Sequence, residues 1–445
     1  MFVCPRTHNA VACEMSFRDR RLHGLSSLLL LLRVWHGRTT FGFSDSSRLY
    51  LIVTNLSDAS PAKPADAFVC RAMPEYDESL AAFFRLVWGA TGTGADVAAA
   101  RAATAAANPS EPGCNVPEFI FVLNHEVIGY LGAVPVSFWN GRVEIPTYWL
   151  KGFMVHPDHR NGPVGFNLLK EALNVIGPSG ALVAAPAARR LFTALGFVEC
   201  GAIPNYVSIL RPSRVMSHVD ISALGGRLPQ FATQAFGLAQ KLGAMRAIGG
   251  LFGVGQQIWK TGRALGFNSY LLDISGALPG HAEVDDLWQS VRKEVKAAAV
   301  RDARFLSWRF SPAPGELYEA ASVRDKTGRL VAIVVVRRPS AEGDERLHGI
   351  KLAVLADILF APGHSGAGLM ALKCAEGIAI RMGADALLCS ATANAVKQLL
   401  SRRAYFQITP NVFFLVRDPR GSCGLPTAIS DWWVTRGDGR ADDAF

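Results

Sequence analysis

The segment RNGPVG, residues 160–165, combines a cation, an amide side chain and two glycines where a predicted strand gives way to a predicted helix. Backbone N–H groups at a helix N-terminus, together with the helix dipole, bind anions. Gly162 is expected to permit an unusual turn, and Gly165 to let a ligand approach the first helical turn closely. Pro163 suits the first turn, where its missing N–H has no intrahelical partner. The pattern predicts either a phosphate-binding loop or a plain strand–helix connection.

The elements before this segment are predicted from hydrophobic periodicity. Residues 67–73 have strand character, and residues 76–89 place apolar side chains on one helical face. A β-hairpin is predicted over 118–139, because Asn124 and its neighbours form a tight turn between two apolar runs. Residues 143–155 are predicted to form a strand, or a pair of strands, interrupted at a proline.

The elements after the segment continue the alternation of helices and strands. A helix is predicted to start at Val164 and to end before the Gly-Pro pair at 177–178. A short buried strand over 181–186, a helix over 187–196 and a final strand over 197–210 follow. This order predicts an α+β architecture, distinct from a regular doubly wound fold.

The chain is long enough for two or three domains, since it has 445 residues. The order of elements over 329–417 repeats the order over 127–210, which predicts two copies of one unit. The predicted regions are an N-terminal extension and linker (1–66), a first domain (67–212), a Gly-rich basic linker (213–283) and a second domain (284–445). The extension is expected to be poorly ordered or foreign to the natural protein.

The composition indicates which cellular compartment and which kinds of binding partner suit the chain. The net charge of +9 and a pI near 9.2 favour anionic partners such as phosphate-bearing cofactors. Eight cysteines are scattered without a CxxC pair, which argues against a zinc site or a disulfide framework and favours the cytoplasm. No base-stacking or helix-turn-helix signature supports nucleic-acid binding.

The stretch 221–272 contains no Asp or Glu and five basic residues. It is interpreted either as a helical linker packed between the domains or as a basic surface that contacts an anionic membrane. Frequent glycine weakens the prediction of a helix there.

The region 67–212 resembles the GNAT family of acyl-CoA-dependent N-acyltransferases, and the region 284–417 resembles it more faintly. Val155-His156-Pro157, Arg160 and Gly165 match the first motif of the family, and Gly196-Phe197 matches the second. The resemblance implies two domains, each a mixed, mostly antiparallel sheet flanked by helices. It also implies a loop that binds the pyrophosphate of acetyl- or acyl-CoA. The residues implied to contact this co-substrate are Met154, Val155, Arg160, Asn161, Gly162, Val164 and Gly165, the first two through a backbone N–H that polarises the thioester carbonyl.

The sequence departs from the family at several positions. Pro163 replaces the first motif glycine and removes one amide donor, Phe192 stands in place of a tyrosine that protonates the thiolate, and Ala185 replaces an asparagine. In the second region Ser401 stands where the tyrosine is expected, and the loop lacks Arg or Gln. The second region is therefore expected to be degenerate, a scaffold or an acceptor-binding half.

Transfer to an amine requires a base that leaves the amine neutral and an acid for the thiolate. His156, Glu144 and Glu126 are the candidate bases, and Tyr206 is the candidate acid. Three of the four have a structural alternative: a turn residue for His156, a solvated strand residue for Glu144 and a half-buried strand aromatic for Tyr206. His156 and His159 alone do not predict a metal site.

The resemblance implies an N-acyltransferase that acts on a small-molecule amine. The stretch RFLSWRF (304–310), Tyr318 and the closing DWWVTRGDG (431–439) are similar to bacterial tandem GNAT proteins of polysaccharide biosynthesis. An amino sugar is accordingly one expected acceptor. The alternative is a non-catalytic tandem protein that binds a ligand or partner.

Overall fold

The computed structural model describes residues 40–42, 50–52, 67–110, 117–218, 270–340, 349–439 and 442. The strands are β1 (Thr40–Gly42), β2 (Tyr50–Ile52), β3 (Ala67–Arg71), β4 (Glu118–Leu123), β5 (Glu126–Trp139), β6 (Glu144–Val155), β7 (Ser179–Val183), β8 (Val198–Ala202), β9 (Asn205–Ile209), β10 (Leu271–Gly276), β11 (Ala297–Ala299), β12 (Tyr318–Arg324), β13 (Leu330–Arg337), β14 (Leu352–Phe360), β15 (Ala386–Ser390), β16 (Phe406–Ile408), β17 (Phe413–Arg417) and β18 (Trp432–Trp433). The helices are α1 (Asp77–Trp88), α2 (Gly94–Ala107), α3 (Val164–Val175), α4 (Pro186–Ala194), α5 (Pro212–His218), α6 (His281–Val291), α7 (Ala303–Phe310), α8 (Ser365–Arg381) and α9 (Asn394–Arg402).

Strands β1 and β2 pair antiparallel with each other in a unit of their own. The residues from 66 onward form a second compact unit. Most of the predicted extension 1–66 and of the linker 213–283 lies outside the described residues, and so do residues 221–269 of the basic stretch. In the part of the chain that the structure describes, no helix is long and apolar enough to cross a membrane.

The first sheet is built around the 14-residue strand β5. Its order is β18-β11-β5-β6-β7-β17-β8, and the hairpin partner β4, with β3 beyond it, attaches to β5. Only β6 with β7 and β11 with β18 pair in parallel. The second sheet has the order β10-β12-β13-β14-β15-β9-β16, with β14 and β15 parallel. These mixed, mostly antiparallel sheets flanked by helices confirm the predicted α+β class.

The two sheets exchange strands. The predicted single strand over 197–210 is wrong: the chain breaks at Ile203-Pro204, so that β8 lies in the first sheet and β9 in the second. In return, β16 lies in the second sheet and β17 in the first. The chain therefore does not pass from the first sheet to the second at residue 212, the predicted end of the first domain. Periodicity could not predict the exchange, because it depends on pairing between distant segments.

Alternation along β5 and β6 separates the two faces of the first sheet. Leu131 and Leu150 pack with Leu168 and Leu169 of α3 in one apolar cluster. On the opposite face, Tyr130 packs with residues of α1 in another cluster. Because successive strand residues point to opposite faces, this assignment fixes the face on which each neighbouring side chain of β6 lies.

The turn predicted at Asn124 is confirmed, and the break predicted at Pro146 is wrong. Asn124 and His125 have positive φ and join β4 to β5 as a two-residue loop. Strand β6 runs without interruption through Pro146. The N–H of Tyr148 donates to the carbonyl of Pro178, so in this part of β6 the backbone N–H and C=O groups of even-numbered residues point toward β7. The pairing with β7 begins only at Tyr148. The proline nitrogen therefore stands where no ladder hydrogen bond is required.

Candidate functional site

A gap opens between β6 and β7. The two strands pair only from Tyr148 with Ser179 to Leu150 with Ala181, whereas β6 continues to Val155. A bulge at residues 152–153 separates the strands, and Gly152 adopts a φ of +62° within it. In the described chain, no strand pairs with residues 151–155 on the β7 side. The edge of β6 is thus open to a ligand.

The N–H of Val155 faces this gap. The next residue, His156, donates its N–H to the carbonyl of Ile128 in β5, 2.8 Å away. Because backbone groups of successive strand residues point to opposite neighbours, Val155 directs its N–H and C=O away from β5. Met154, the other residue predicted to polarise a carbonyl, lies opposite Tyr130 and directs its N–H toward β5.

A cluster of backbone N–H groups follows the gap. A 3-10 turn over Pro157–His159 leads to α3, which begins at Val164 as predicted. The N–H groups of Val164, Gly165 and Phe166 have no acceptor among the described residues, and the first helical bond runs from Asn167 to Pro163. These N–H groups and the helix dipole form a site suited to an anion. Asn161 carries a further N–H without an acceptor in the described part of the chain.

The backbone conformation of Gly162 differs from the prediction. Its φ is not positive, so the expectation of an unusual turn there is wrong. Its N–H donates to the carbonyl of His159 at 3.1 Å and is already used within the turn. Gly165 packs closely against the end of β6, because a β-carbon there would lie 3.3 Å from Phe153 Cζ and 3.4 Å from Val155 Cγ2. The close approach of a ligand to Gly165 stays a prediction.

Arg160 holds the loop against the end of β6. Its Nε donates to the carbonyl oxygen of Val155 at 3.1 Å, and its Nη2 lies 3.9 Å from Met154 Sδ. The residue is otherwise exposed. A guanidinium is therefore fixed at the mouth of the gap, beside the N-terminus of α3, where it reinforces the attraction for an anion.

His156 caps the 3-10 turn. Its Nδ1 accepts from the N–H of Asp158 at 3.3 Å. A neutral imidazole that accepts at Nδ1 carries its proton on Nε2 and has no further lone pair for a substrate proton. This geometry favours the turn residue over the base. The ring of His159 lies 5.6 Å away, and within the described residues no group of three or more His, Cys, Asp or Glu side chains could hold a metal ion.

The three predicted catalytic side chains lie in different places. Glu144 is the first residue of β6 and pairs with Arg292 at 3.0 Å. Along an extended strand of 12 residues, it is more than about 30 Å from the loop at ~3.3 Å per residue. Tyr206 lies on β9 in the second sheet, opposite Cys389, and its burial raises the pKa of the phenol. The structure does not bring these residues together.

A tyrosine–carboxylate pair that no sequence motif indicates lies beside the bulge. Tyr130 donates its hydroxyl to Glu118 Oε1 at 2.7 Å, and Arg101 holds Glu118 from the other side at 2.9 Å. A β-carbon on Gly152 would lie 3.0 Å from the Tyr130 ring, which places the ring against the bulge. The hairpin register set by the Asn124 turn was the available signal, since it brings Glu118 and Tyr130 close together.

Phe192, which stands where the resemblance implies a tyrosine, packs in the core. The side chain is 1% exposed, and its ring packs on Phe153 at 5.5 Å and on Phe197 at 4.9 Å. Since phenylalanine has no ionisable proton, this position provides no acid for a leaving group.

A small pocket, with a cavity volume of about 20 Å³, lies on the opposite face of the sheet from α3. Trp149 and Lys151 of β6 line one wall, α7 lines a second, and the C-terminal residues Gly437 and Gly439 line a third. Lys151 is the first residue of β6 beyond the paired part. The pocket therefore adjoins the beginning of the gap.

The second sheet has a corresponding gap that the chain itself fills. Strand β14 pairs with β15 as far as Leu355 and then continues to Phe360, with a register shift in its pairing to β13. Gly437 donates its N–H to Ala356 at 2.8 Å on one side, and Thr435 forms a bridge with Ala391 on the other. The C-terminal segment thus lies between the two strands.

A buried ion network holds that segment. Arg301 is completely buried, and its guanidinium contacts Asp357 at 3.0 Å and Asp438 at 2.7 Å. Arg309 in turn donates to Tyr318, to the carbonyl of Gly437 and to Asp442. Buried charges require such pairing, so the network fixes the segment in the second gap.

Comparison with known proteins finds a family match for the segment of the chain that contains the first gap and its loop. Residues 92–197 match the acetyltransferase (GNAT) family. The GNAT segment contains the hairpin, the gap-forming strands, the loop and the helices α3 and α4. It ends at Phe197, within the second sequence motif. No curated protein matches the chain.

Solved structures of other proteins are similar to the chain at low sequence identity. N-myristoyltransferase from Saccharomyces cerevisiae, solved with bound myristoyl-CoA, is 11% identical with a TM-score of 0.51, and 81% of each chain is covered. A probable N-acyltransferase from Enterococcus faecalis is 10% identical with a TM-score of 0.47, covering 78% of this chain and 71% of that one. A GNAT protein from Kribbella flavida is 14% identical with a TM-score of 0.46, covering 79% and 71%. At this identity, the likeness to the myristoyltransferase is one of fold alone.

Proposed function

We propose that the protein is an acyl-CoA-dependent N-acyltransferase whose co-substrate binds in the first gap. The observation that carries the proposal is the open edge of β6, which ends at Val155 and leads directly to the N–H groups of Val164 and Gly165. This arrangement lies within the segment that matches the GNAT family. An acyl-CoA supplies an acyl group activated as a thioester.

The residues of the gap fit such a co-substrate. The N–H groups at the start of α3 and the guanidinium of Arg160 would hold the pyrophosphate. The N–H of Val155 would donate to the thioester carbonyl and stabilise the charge that develops on its oxygen. The loop has one donor fewer than a glycine at position 163 would give, because Pro163 has no N–H. Asn161 and Phe166 supply N–H groups near it.

The chain must position the amine and accept its proton. The amine nitrogen forms a bond to the carbonyl carbon as the carbon–sulfur bond breaks, and one amine proton ultimately reaches the thiolate. The hydrogen-bonded Tyr130 and Glu118 lie beside the bulge and are better placed for proton transfer than Glu144. Nucleic acid is not proposed as a substrate.

We further propose a tandem arrangement with a degenerate second domain. The sheet of the second half has the same parallel strand pair and the same gap as the first. Its gap holds the C-terminal segment, which supports a scaffold role for that half and a single co-substrate site in the chain. The boundaries near 212 and 284 are proposed as sequence boundaries of the two units. A cytoplasmic setting and a small-molecule amine acceptor, such as an amino sugar, belong to the same proposal.

A non-catalytic role in ligand binding is the second candidate. Phe192 in place of the tyrosine and the capping role of His156 favour it, because both remove a group that could transfer a proton.

Isothermal titration calorimetry with acetyl-CoA tests co-substrate binding. Saturable heat that weakens in Arg160→Ala supports the proposal, and absence of heat at high micromolar ligand refutes it. Thiol release from acetyl-CoA in the presence of amines then separates the two candidates: turnover refutes the non-catalytic role. Binding without turnover across amino sugars, amino acids and simple amines supports it.

A further inference from the structure

A groove runs along α4 between the helix and β8. Its lining residues are Pro186, Arg189, Arg190, Thr193, Ala194 and Glu199. The helical residues recur at intervals of three or four positions, so they form one face of α4. The cavity volume of about 520 Å³ lies in the range of small-molecule sites, roughly 300–1,000 Å³. The groove is therefore large enough for a ligand, unlike the small pocket on the opposite face of the sheet.

The guanidinium of Arg189 is held flat at the wall of the groove. Its Nε and Nη2 donate to the two carboxylate oxygens of Glu199 at 3.0 and 2.6 Å, and its central carbon lies 3.4 Å from the centre of the Phe413 ring. At that distance the guanidinium must lie on the face of the ring. The side chain is 25% exposed and lines the groove, so its opposite face is open to a ligand. Planar guanidinium groups stack on aromatic rings and on nucleic-acid bases.

Arg190 carries the uncompensated charge of the groove. The bidentate pair of Arg189 and Glu199 is neutral as a whole. Arg190 is exposed and has no ion-pair or hydrogen-bond partner in the part of the chain that the structure describes. Helix α4 itself contains no acidic residue. Because a guanidinium binds phosphate through two parallel hydrogen bonds, the groove offers an anion site next to a stacking surface.

We propose that this groove binds a nucleotide, with the base stacked on Arg189 and a phosphate held by Arg190. The Nη1 of Arg189 has no acceptor among the described residues and would donate to a ring nitrogen or carbonyl of the base. The Thr193 hydroxyl donates to the carbonyl of Arg189 at 3.0 Å, so its lone pairs can accept from an amino group or a ribose hydroxyl. An inorganic anion would use Arg190 and leave the stacking face without a partner.

The position of the groove fits two sources of such a nucleotide. Leu191, the neighbour of Arg190, packs against the first turn of α3, since a β-carbon on Gly165 would lie 3.6 Å from Leu191 Cδ2. The groove is therefore close to the proposed phosphate site. One source is the 3′-phosphoadenosine end of an acyl-CoA bound there, and this source rests on the proposed function. The other source is a free nucleotide, which does not depend on it.

Titration calorimetry of the complete chain with adenosine 3′,5′-bisphosphate tests the phosphate contact. Arg190→Ala should raise the Kd of this probe at least about tenfold, the loss expected for one hydrogen bond between charged groups. Arg142→Ala is the matched control, because it removes an exposed arginine near the start of β6, and it should leave the Kd unchanged. Absence of binding to the unaltered chain, or the same Kd in Arg190→Ala, would overturn the inference.

Arg189→Lys tests the stacking of the base. Lysine keeps the positive charge beside Glu199 but has no planar group, so the Kd of adenosine 3′,5′-bisphosphate should rise at least about fivefold, the smaller effect of losing one stacked base. Ribose 5-phosphate has no base, and its Kd, obtained by displacement of the bisphosphate, should not change. If Arg189→Lys weakens both probes equally, or neither of them, Arg189 does not stack on a base and the inference of a nucleotide is wrong.

Acetyl-CoA and its 3′-dephospho form identify the source of the nucleotide. If the groove holds the end of the co-substrate, acetyl-CoA should bind at least about tenfold more tightly than the dephospho form, and Arg190→Ala should remove the difference. If the groove holds a free nucleotide, the two forms bind equally, and the bisphosphate binds alongside either. If neither form binds, the proposed function fails, and the titrations with the bisphosphate still decide whether the groove is a nucleotide site.

Discussion

The backbone N–H of Gly437 donates to the carbonyl oxygen of Ala356, 2.8 Å away, and this bond joins the C-terminal segment to the strand that borders the second gap. A side chain on Gly437 would collide with that oxygen and with the ring of Phe310. In the first sheet no described segment pairs with residues 151–155 on the corresponding side. The two halves therefore share a strand arrangement, and the gap of the second is occupied by the protein itself.

Titration calorimetry should give one acetyl-CoA site per chain. The reason is steric, because the C-terminal segment lies in the second gap, where it contacts Ala356 on one side and Ala391 on the other. The stoichiometry is measured with the complete chain at a protein concentration well above Kd. Two sites of similar affinity would contradict this assignment of the second half.

Asp438→Asn should lower the free energy of unfolding by about 3 kcal/mol, the lower end for breaking a buried ion pair, since Arg301 keeps Asp357 as a partner. Urea unfolding followed by circular dichroism measures the change. Asp431→Asn is the matched control, because its partner Lys296 is exposed, and it should cost less than about 1 kcal/mol. Equal effects of the two substitutions would show that the buried network does not hold the segment.

The local parts of the fold could be predicted from the sequence. The start of α3 at Val164 and the turn at Asn124 follow from residue types within a few positions. The break at Pro204 and the exchange of β9 and β17 could not be predicted in this way. They depend on which distant strands offer matching apolar faces, and periodicity contains no information about the partner of a strand.

The same distinction applies to the candidate site. The loop residues Arg160 and Gly165 are only five positions apart in sequence, so a motif could place them beside the end of β6. The predicted base Glu144 lies at the other end of the same strand, so no short motif joins it to the loop. The pair of Tyr130 and Glu118 depends on hairpin register, which a list of single ionisable residues does not consider.

His156→Asn should leave kcat unchanged, whereas His156→Ala should lower the free energy of unfolding by about 1 kcal/mol, as removal of a capping acceptor does. Asparagine retains an acceptor for the N–H of Asp158, and alanine does not. The measurements are steady-state thiol release and urea unfolding of both variants. A loss of kcat of a hundredfold or more in His156→Asn, about what loss of a general base produces, would contradict the capping role.

Phe192→Ala should lower the free energy of unfolding by about 3–5 kcal/mol, because it empties a position between two other rings in the core beside β6. Phe166→Ala is the control, because this position on α3 is 42% exposed. It should change the free energy of unfolding by about 0.5 kcal/mol or less. Thermal and urea unfolding provide the comparison. Similar small effects would indicate that Phe192 is kept for a role other than packing.

Gly165→Asp should weaken acetyl-CoA binding at least about tenfold, or about 1.4 kcal/mol, through repulsion between its carboxylate and the pyrophosphate. The fold should tolerate the change, because an acidic residue in the first turn of a helix interacts favourably with the dipole. Gly165→Asn is the matched control: it has nearly the same size and meets the same neighbours, Phe153 and Val155, without the charge. Calorimetry at two salt concentrations separates the effects, since screening should reduce the difference between Asp and Asn. If both variants weaken binding equally at both concentrations, crowding of the first turn is responsible, and the N-terminus of α3 does not bind the phosphates.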